Sequence, residues 1–212
     1  KLDLSSFDTS NVTNMASMFR YCKALTSLNL SSFNTSKITS MNAMFGDCES
    51  LTSLDLSSFD TSNVTSMRST FQNCNSLISL DLSNFNTSKV TLMEEMFRSC
   101  HSLLNLNLSG FDTSSVTSTW YMFRDCDKLT ELDLSSFNTS KVTNMNSMFG
   151  NCTTLKTIYV SELWDVSNVP SSDSIFYNCQ LLAGAVSYDR TKTDKTMANY
   201  TTGYLTYKKN TN

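Results

Sequence analysis

Cysteine returns every 26 residues: Cys22, Cys48, Cys74, Cys100, Cys126 and Cys152 keep that step, and Cys179 follows after 27. Phe7, Phe33, Phe59, Phe85, Phe111 and Phe137 share the period, as do Val12, Ile38, Val64, Val90, Val116 and Val142. A fixed period of about 20 to 50 residues marks a stacked repeat, in which each copy is too small to shelter its own apolar side and buries it against its neighbours. The seven copies therefore predict a column with a continuous core rather than a globule. Catalysis would have to come from residues that break the pattern, and few do.

One copy reads in three parts. Leu28 and Leu30 flank Asn29 in the alternation of a half-buried strand, and the pair recurs as Leu54/Leu56, Leu80/Leu82, Leu106/Leu108 and Leu132/Leu134. Next comes Phe33, a large core filler, followed by a turn at Asn34. Asp and Asn exchange at this register (Asp8, Asn34, Asp60, Asn86, Asp112, Asn138), which identifies the need as a side-chain oxygen accepting from the backbone two residues on. The remainder, Ile38-x-x-Met41-x-x-Met44-Phe45-x-x-Cys48, sets apolar groups three and four apart, the face of a short helix. A second short strand at the Val-Thr start stays open as the alternative. Ten of the eleven methionines occupy these registers and are assigned to the core.

The expected fold is an α/β leucine-rich-repeat solenoid over residues 1–182, right-handed in its crossovers. Each 26-residue repeat supplies one short parallel strand plus one short helix. The seventh copy gains one residue, uses Trp164 where Phe stood, and holds the only proline, Pro170. After Leu182 the repeat ends, and residues 183–212 form a C-terminal cap and tail. An uncovered last copy would leave apolar core and strand edge in water, so residues 183–206, with β-prone stretches at 185–188 and 203–207, are assigned as a β-rich cap.

Composition bounds the partners. Charged residues make up 17% and the net charge is -3, without the clustered Lys and Arg that nucleic-acid binding needs. Residues 183–212 carry five Lys/Arg against two Asp, a net of +3, which leaves the repeats at -6. No apolar run is long enough to span a membrane, and no leader precedes the first copy. The chain opens on Lys1 in mid-motif and reads as a piece of a longer, processed protein. The odd number of cysteines, at one register beside leucines, reads as a file of reduced, buried thiols. Same-register ligands form a line rather than a tetrahedron, so neither a metal nor another cofactor is expected. The one histidine, His101, sits at a register also filled by Lys23, Glu49, Asn75, Asp127 and Thr153, which makes it solvated surface and not half of a Cys-His pair. No catalytic residue is assigned.

Two features could contact a ligand. Asp3, Asn29, Asp55, Asp81, Asn107, Asp133 and Tyr159 lie between the strand leucines, so alternation turns them outward as an acidic and amide-rich stripe. Asp55 and Asp81 would sit about 4.8 Å apart along the ladder, where like charges repel. A solvated face and a contact stripe for a cation, basic peptide or glycan are both open readings. In the fifth copy Thr119-Trp120-Tyr121 replaces Met-x-x, and Trp120 and Tyr121 form a possible aromatic anchor. Trp120 folding inward over the missing methionine is the alternative.

The units C-x-x-L-x-x-L-x-L and V-T-x-M-x-x-M-F-x-x-C, as in residues 22–30 and, with Thr70 at the second Met, 64–74, resemble the BspA-like leucine-rich repeat proteins in their 26-residue version. The resemblance covers about residues 1–182, and Tyr188, Asp194-Lys195-Thr196 and Gly203-Tyr204-Leu205-Thr206 are similar to segments that follow the last repeat there. It implies a non-catalytic, extracellular module on a bacterial cell surface whose strand face binds a host or neighbouring-cell surface protein or glycan. The alternative it allows is a spacer or stalk segment of a larger surface protein, with no ligand of its own.

Overall fold

A computed structural model of the chain describes residues 4–170 and 174–210. The copies stack in register as a solenoid, and the coil-to-coil bonding is densest where a helix was expected. In the first copy the N–H groups of Met15, Ser17, Phe19 and Tyr21 donate to the carbonyls of Ser40, Asn42, Met44 and Gly46 in the second, at 3.3, 2.8, 2.9 and 2.9 Å. Met18, Arg20 and Cys22 close four-residue turns back onto Met15, Ser17 and Phe19. Every second N–H thus leaves for the next coil instead of reaching the carbonyl four residues back, and no α-helix forms among the described residues.

Two left-handed residues in each of the first six copies, and one among the described residues of the seventh, make this path possible. Ser17, Ala43, Ser69, Glu95, Tyr121 and Ser147 have φ between 47° and 59°, and Tyr21, Asp47, Asn73, Ser99, Asp125, Asn151 and Asn178 between 57° and 63°. Each of the first set is the third residue of a turn such as Met15–Met18, the position where a type II turn requires positive φ. None is glycine. A non-glycine residue there costs roughly 1–2 kcal/mol, offset by the coil-to-coil bond that its own N–H makes. The apolar spacing of three and four suits successive turns as well as a helix, and that is why it pointed to the wrong element. At the Val-Thr segment the second short strand left open as the alternative reduces to single parallel bridges, which join Asn14, Ser40, Ser66, Leu92, Ser118 and Asn144 in sequence.

Side chains extend the same pairing. Thr9, Thr35, Thr61, Thr87, Thr113 and Thr139 are all buried. Each donates its hydroxyl to the carbonyl of the turn Asn or Asp in the next copy, at 2.7–3.0 Å. Thr9, Thr35, Thr61 and Thr139 also accept the N–H of that same residue, so one hydroxyl stands in for a backbone bridge. The turn Asp and Asn accept from the N–H two residues on, as their exchange in sequence implies. Lys37 and Lys89 bond the amides of Asn11 and Asn63 in the copy before.

Two files fill the interior. Phe19, Phe45, Phe71, Phe97, Phe123, Phe149 and Phe176 stack with centroids 5.5–5.8 Å apart and planes within 9°. Beside them the cysteines are free thiols, buried from Cys48 onward. Cys48 donates its S–H to Phe19 O at 3.1 Å, and Cys74, Cys100, Cys126, Cys152 and Cys179 repeat the bond to the phenylalanine carbonyl of the preceding coil. Burial pushes the Cys48 thiol up to about 11 and those of Cys100 and Cys179 to about 12.

Among the described residues, the strand expected in every copy is absent from the second and third and forms from the fourth onward: β1 (Ser79–Asp81) pairs in parallel with β2 (Asn105–Asn107), and β3 (Glu131–Leu134) with β4 (Thr157–Val160). In earlier copies the contact reduces to bonds such as Thr52 N–H to Thr26 O at 3.2 Å. Asp81, Asn107 and Asp133 lie within strands at the register where Asn29 and Asp55 do not, so the outward residue does not decide; β4, Thr157-Ile158-Tyr159-Val160, is made wholly of strand formers.

The tail covers that end with irregular chain more than with strands. β5 (Thr206–Tyr207) adds in parallel to β4, and an antiparallel bridge joins Ala183 to Ser187. The rest is fastened by side chains. Fully buried Tyr204 ends the ring stack edge-on to Phe176 at 5.4 Å, and its hydroxyl donates to Lys192 O at 2.9 Å and accepts from Asp189 N–H at 2.8 Å. Trp164 Nε1 donates to Ala198 O at 3.1 Å. A Cβ at Gly203 would lie 2.2 Å from Met197 O, so only glycine fits that crossing.

Thr61→Val keeps shape and removes both bonds, leaving the N–H and C=O of Asn86 without their partner. Denaturant unfolding is expected to show a loss of about 1–3 kcal/mol. Cys22 is the one partly exposed cysteine of the seven, so a thiol reagent should titrate one cysteine in the native protein and all seven after denaturation.

Candidate functional site

The outward stripe begins with each strand's alternation. Leu80 and Leu82 point into the core, and Asp81 between them faces water, as do Asn29, Asp55, Asn107 and Asp133 at the same register. Tyr159 is half-buried in β4 and Asp3 lies outside the described residues. The stripe also has local work: Asn29, Asp55, Asp81, Asn107 and Asp133 each accept from the N–H of the serine two residues on, at 2.9–3.1 Å, ending the strand in a turn. Those serine N–H groups hold the Asp55 and Asp81 carboxyls below the ordinary carboxylate value.

A polar trough runs along this face. Its largest part, about 530 Å³, is lined by Asp81, Leu104, Asn107, Glu131, Asp133 and Lys208 among others. A second part, about 440 Å³, lies between Asp55, Asp81 and Asn84. On its border stand two apolar side chains that sequence reasoning missed, Ile78 and Leu104, 49% and 51% exposed and joined by a 2.8 Å bond from Leu104 N–H to Ile78 O. Their register holds Thr26, Thr52, Thr130 and Lys156 in other copies. Isoleucine and leucine at a position that is otherwise polar were the available signal.

The tail closes the C-terminal part of the trough. Lys208 N–H donates to Val160 O at 2.8 Å, its ammonium pairs with Asp133, and it lies 5.5 Å from the centre of the Tyr159 ring. Burial raises the Asp133 carboxyl, but the Lys208 and Ser135 bonds outweigh it and hold the group below its usual value. Pairing with Asp133 raises the Lys208 ammonium. Asp133 and Tyr159 are thus engaged by the tail through Lys208, whereas Asp55, Asp81 and Asn107 keep only bonds local to the stripe.

The aromatic pair lies on the turn segment, away from the stripe. Trp120 is half-buried and stacked on Tyr121, centroids 4.4 Å apart. Thr119 itself takes the methionine position, with its hydroxyl 3.3 Å from Met148 Sδ. Tyr121 is held between the guanidinium groups of Arg98 and Arg124, at 5.3 and 4.6 Å, and Arg98 pairs with Glu95 at 2.6 Å. His101 is exposed, its Nδ1 2.7 Å from Asp127 in the next copy. Among the described residues no group of three or more His, Cys, Asp or Glu is placed to hold a metal ion, and no helix is long and apolar enough to cross a membrane.

A family model described as "Mycoplasma protein of unknown function, DUF285" matches residues 1–103 and 76–189. Among solved structures, the crystal structure of a leucine-rich repeat protein from Bacteroides ovatus aligns with a TM-score of 0.34 and 18% identity, over 80% of this chain and 57% of that one. No curated protein matches the sequence.

Acid tests the turn role of the stripe. Asp55 and Asp81 titrate below the ordinary 3.8 in the folded protein, so their stabilisation is present above that value and is lost as pH falls through the depressed ones. The thermal midpoint should drop on acidification from about pH 5 to 2. In Asp55→Asn/Asp81→Asn, where the amide keeps the turn bond and carries no titrating charge, the drop should be shallower.

Proposed function

The chain belongs to the DUF285 repeat family, and from that premise we propose that it is a non-catalytic binding module of a bacterial cell surface. It engages a protein or glycan of a host or neighbouring cell through the strand face. The observation that carries this reading is the pairing of exposed Ile78 and Leu104 with the open trough around Asp55, Asp81 and Asn107. An exposed apolar pair beside a polar trough combines area that dries on contact with groups that select the partner. The acidic stripe adds selectivity for basic or hydroxyl-rich partners by disfavouring anionic ones. In-register stacking supports the reading, because it makes an array of repeated positions on which a few departures define a local site. Burial of the thiols from Cys48 onward, which raises those of Cys48 and Cys100, supports a role without turnover.

The experiment uses labelled protein on a cultured epithelial monolayer. The wild-type chain is expected to bind saturably, and Leu104→Ser combined with Asp55→Asn and Asp81→Asn to lose about ten-fold or more in affinity, the loss of an apolar anchor and its neighbouring charges, with an unchanged melting temperature. Asp133 is left intact because Lys208 holds it. Equal binding by the variant removes the strand face as the site. No saturable binding by the wild-type chain favours the spacer role instead.

A further inference from the structure

A second groove lies where the seventh copy meets the cap, away from the strand face and built almost wholly from residues that break the repeat. It measures about 650 Å³ and is lined by Tyr177, Asn178, Gln180, Tyr188 and Arg190. Tyr177 is 54% exposed at a register that holds Arg20, Gly46, Gln72, Arg98, Arg124 and Gly150 elsewhere, never an aromatic. Gly150, its counterpart in the preceding coil, has no side chain to lie against the ring.

The polar groups beside the ring are oriented by a relay of amides. Gln180 Nε2 donates to Asn178 Oδ1 at 2.6 Å, Asn178 Nδ2 to Asn151 Oδ1 at 3.2 Å, and Asn151 Nδ2 to Asp125 Oδ1 at 2.7 Å. All three donors run toward the Asp125 carboxylate, so each bond polarises the next and the Gln180 amide is fixed without being consumed. It keeps its carbonyl oxygen and second N–H for a ligand. Across the groove Tyr188 accepts the N–H of Asn178 at 3.0 Å, and exposed Arg190 adds a guanidinium.

We propose that this groove binds an acidic sugar unit of a glycan. A pyranose offers a C–H face that packs on an uncovered phenol ring, neighbouring hydroxyls that match a planar amide as both donor and acceptor, and, in a uronic acid, a carboxylate that matches the fork of a guanidinium. Tyr177, Gln180 and Arg190 supply these three in that order. An acidic peptide would satisfy Arg190 but leave the ring and the relay without use. Arg190 is the one charged side chain that lines this groove, which favours an anionic ligand here and sets it apart from the strand face lined by Asp81, Glu131 and Asp133.

The test is calorimetric titration of the intact chain with trigalacturonate, triglucuronate, neutral galactotriose and a glutamate-rich peptide. Saturable binding is expected for an acidic trisaccharide, weaker for the neutral one. Tyr177→Ala should weaken it about ten-fold, and Arg190→Gln should erase the preference for acid over neutral sugar. Both positions are exposed, and unchanged melting curves will show that the fold is intact. No saturable binding by either acidic trisaccharide, affinity unaltered in Tyr177→Ala, or a peptide that binds as tightly as the acidic sugars would each overturn the assignment.

Discussion

Everything in this molecule rests on hydrogen bonds handed from one coil to the next at a separation of about one repeat. Backbone N–H groups of alternate turn residues, threonine hydroxyls and cysteine thiols all make the same crossing, each to a carbonyl of an adjacent coil. The left-handed backbone at positions such as Ser69 and Asn73 is tolerable only because those bonds hold it. A single coil has the strain without the bonds, so it has no stable fold alone, and the order of the ring and thiol files follows from the backbone register rather than causing it.

That dependence explains what could be read in advance. The 26-residue step of Phe, Met, Leu and Cys is legible because core positions must align when coils superpose, and the outward placement of Asn29 to Asp133 is legible because strand alternation is local. The turn path was hidden. Its left-handed positions carry Ser, Ala, Glu, Tyr, Asp and Asn, never the glycine that would announce positive φ, so apolar spacing alone had to decide and favoured a helix. The threonine bridges were hidden for a similar reason: a conserved spacing of Thr in a polar Ser-Thr-Asn background looks like solvated surface until the next coil is laid upon it.

The candidate sites divide along the same line. The acidic stripe follows from the pattern, but its service as a set of turn acceptors, and the capture of Asp133 by Lys208 from 75 residues away, are products of local geometry and of the cap. Exposed Ile78 and Leu104, the stacked Trp120 and Tyr121, and the Tyr177 groove all depart from the period. In a solenoid whose coils are otherwise interchangeable, such departures are the places where one copy can be told from another by a partner.

Interchangeability has a genetic reading as well. Because the turn-segment contact between the second and third copies has the same chemistry as that between the fourth and fifth, an unequal crossover that adds or deletes a whole unit creates no new kind of turn junction. A slip of any other length throws every downstream carbonyl out of reach. The one added residue falls in the seventh copy, beside the cap, where little lies downstream to misalign. A gene of this kind can therefore change the reach of its product in discrete increments between generations, while the terminal segment that seals the stack is inherited unaltered.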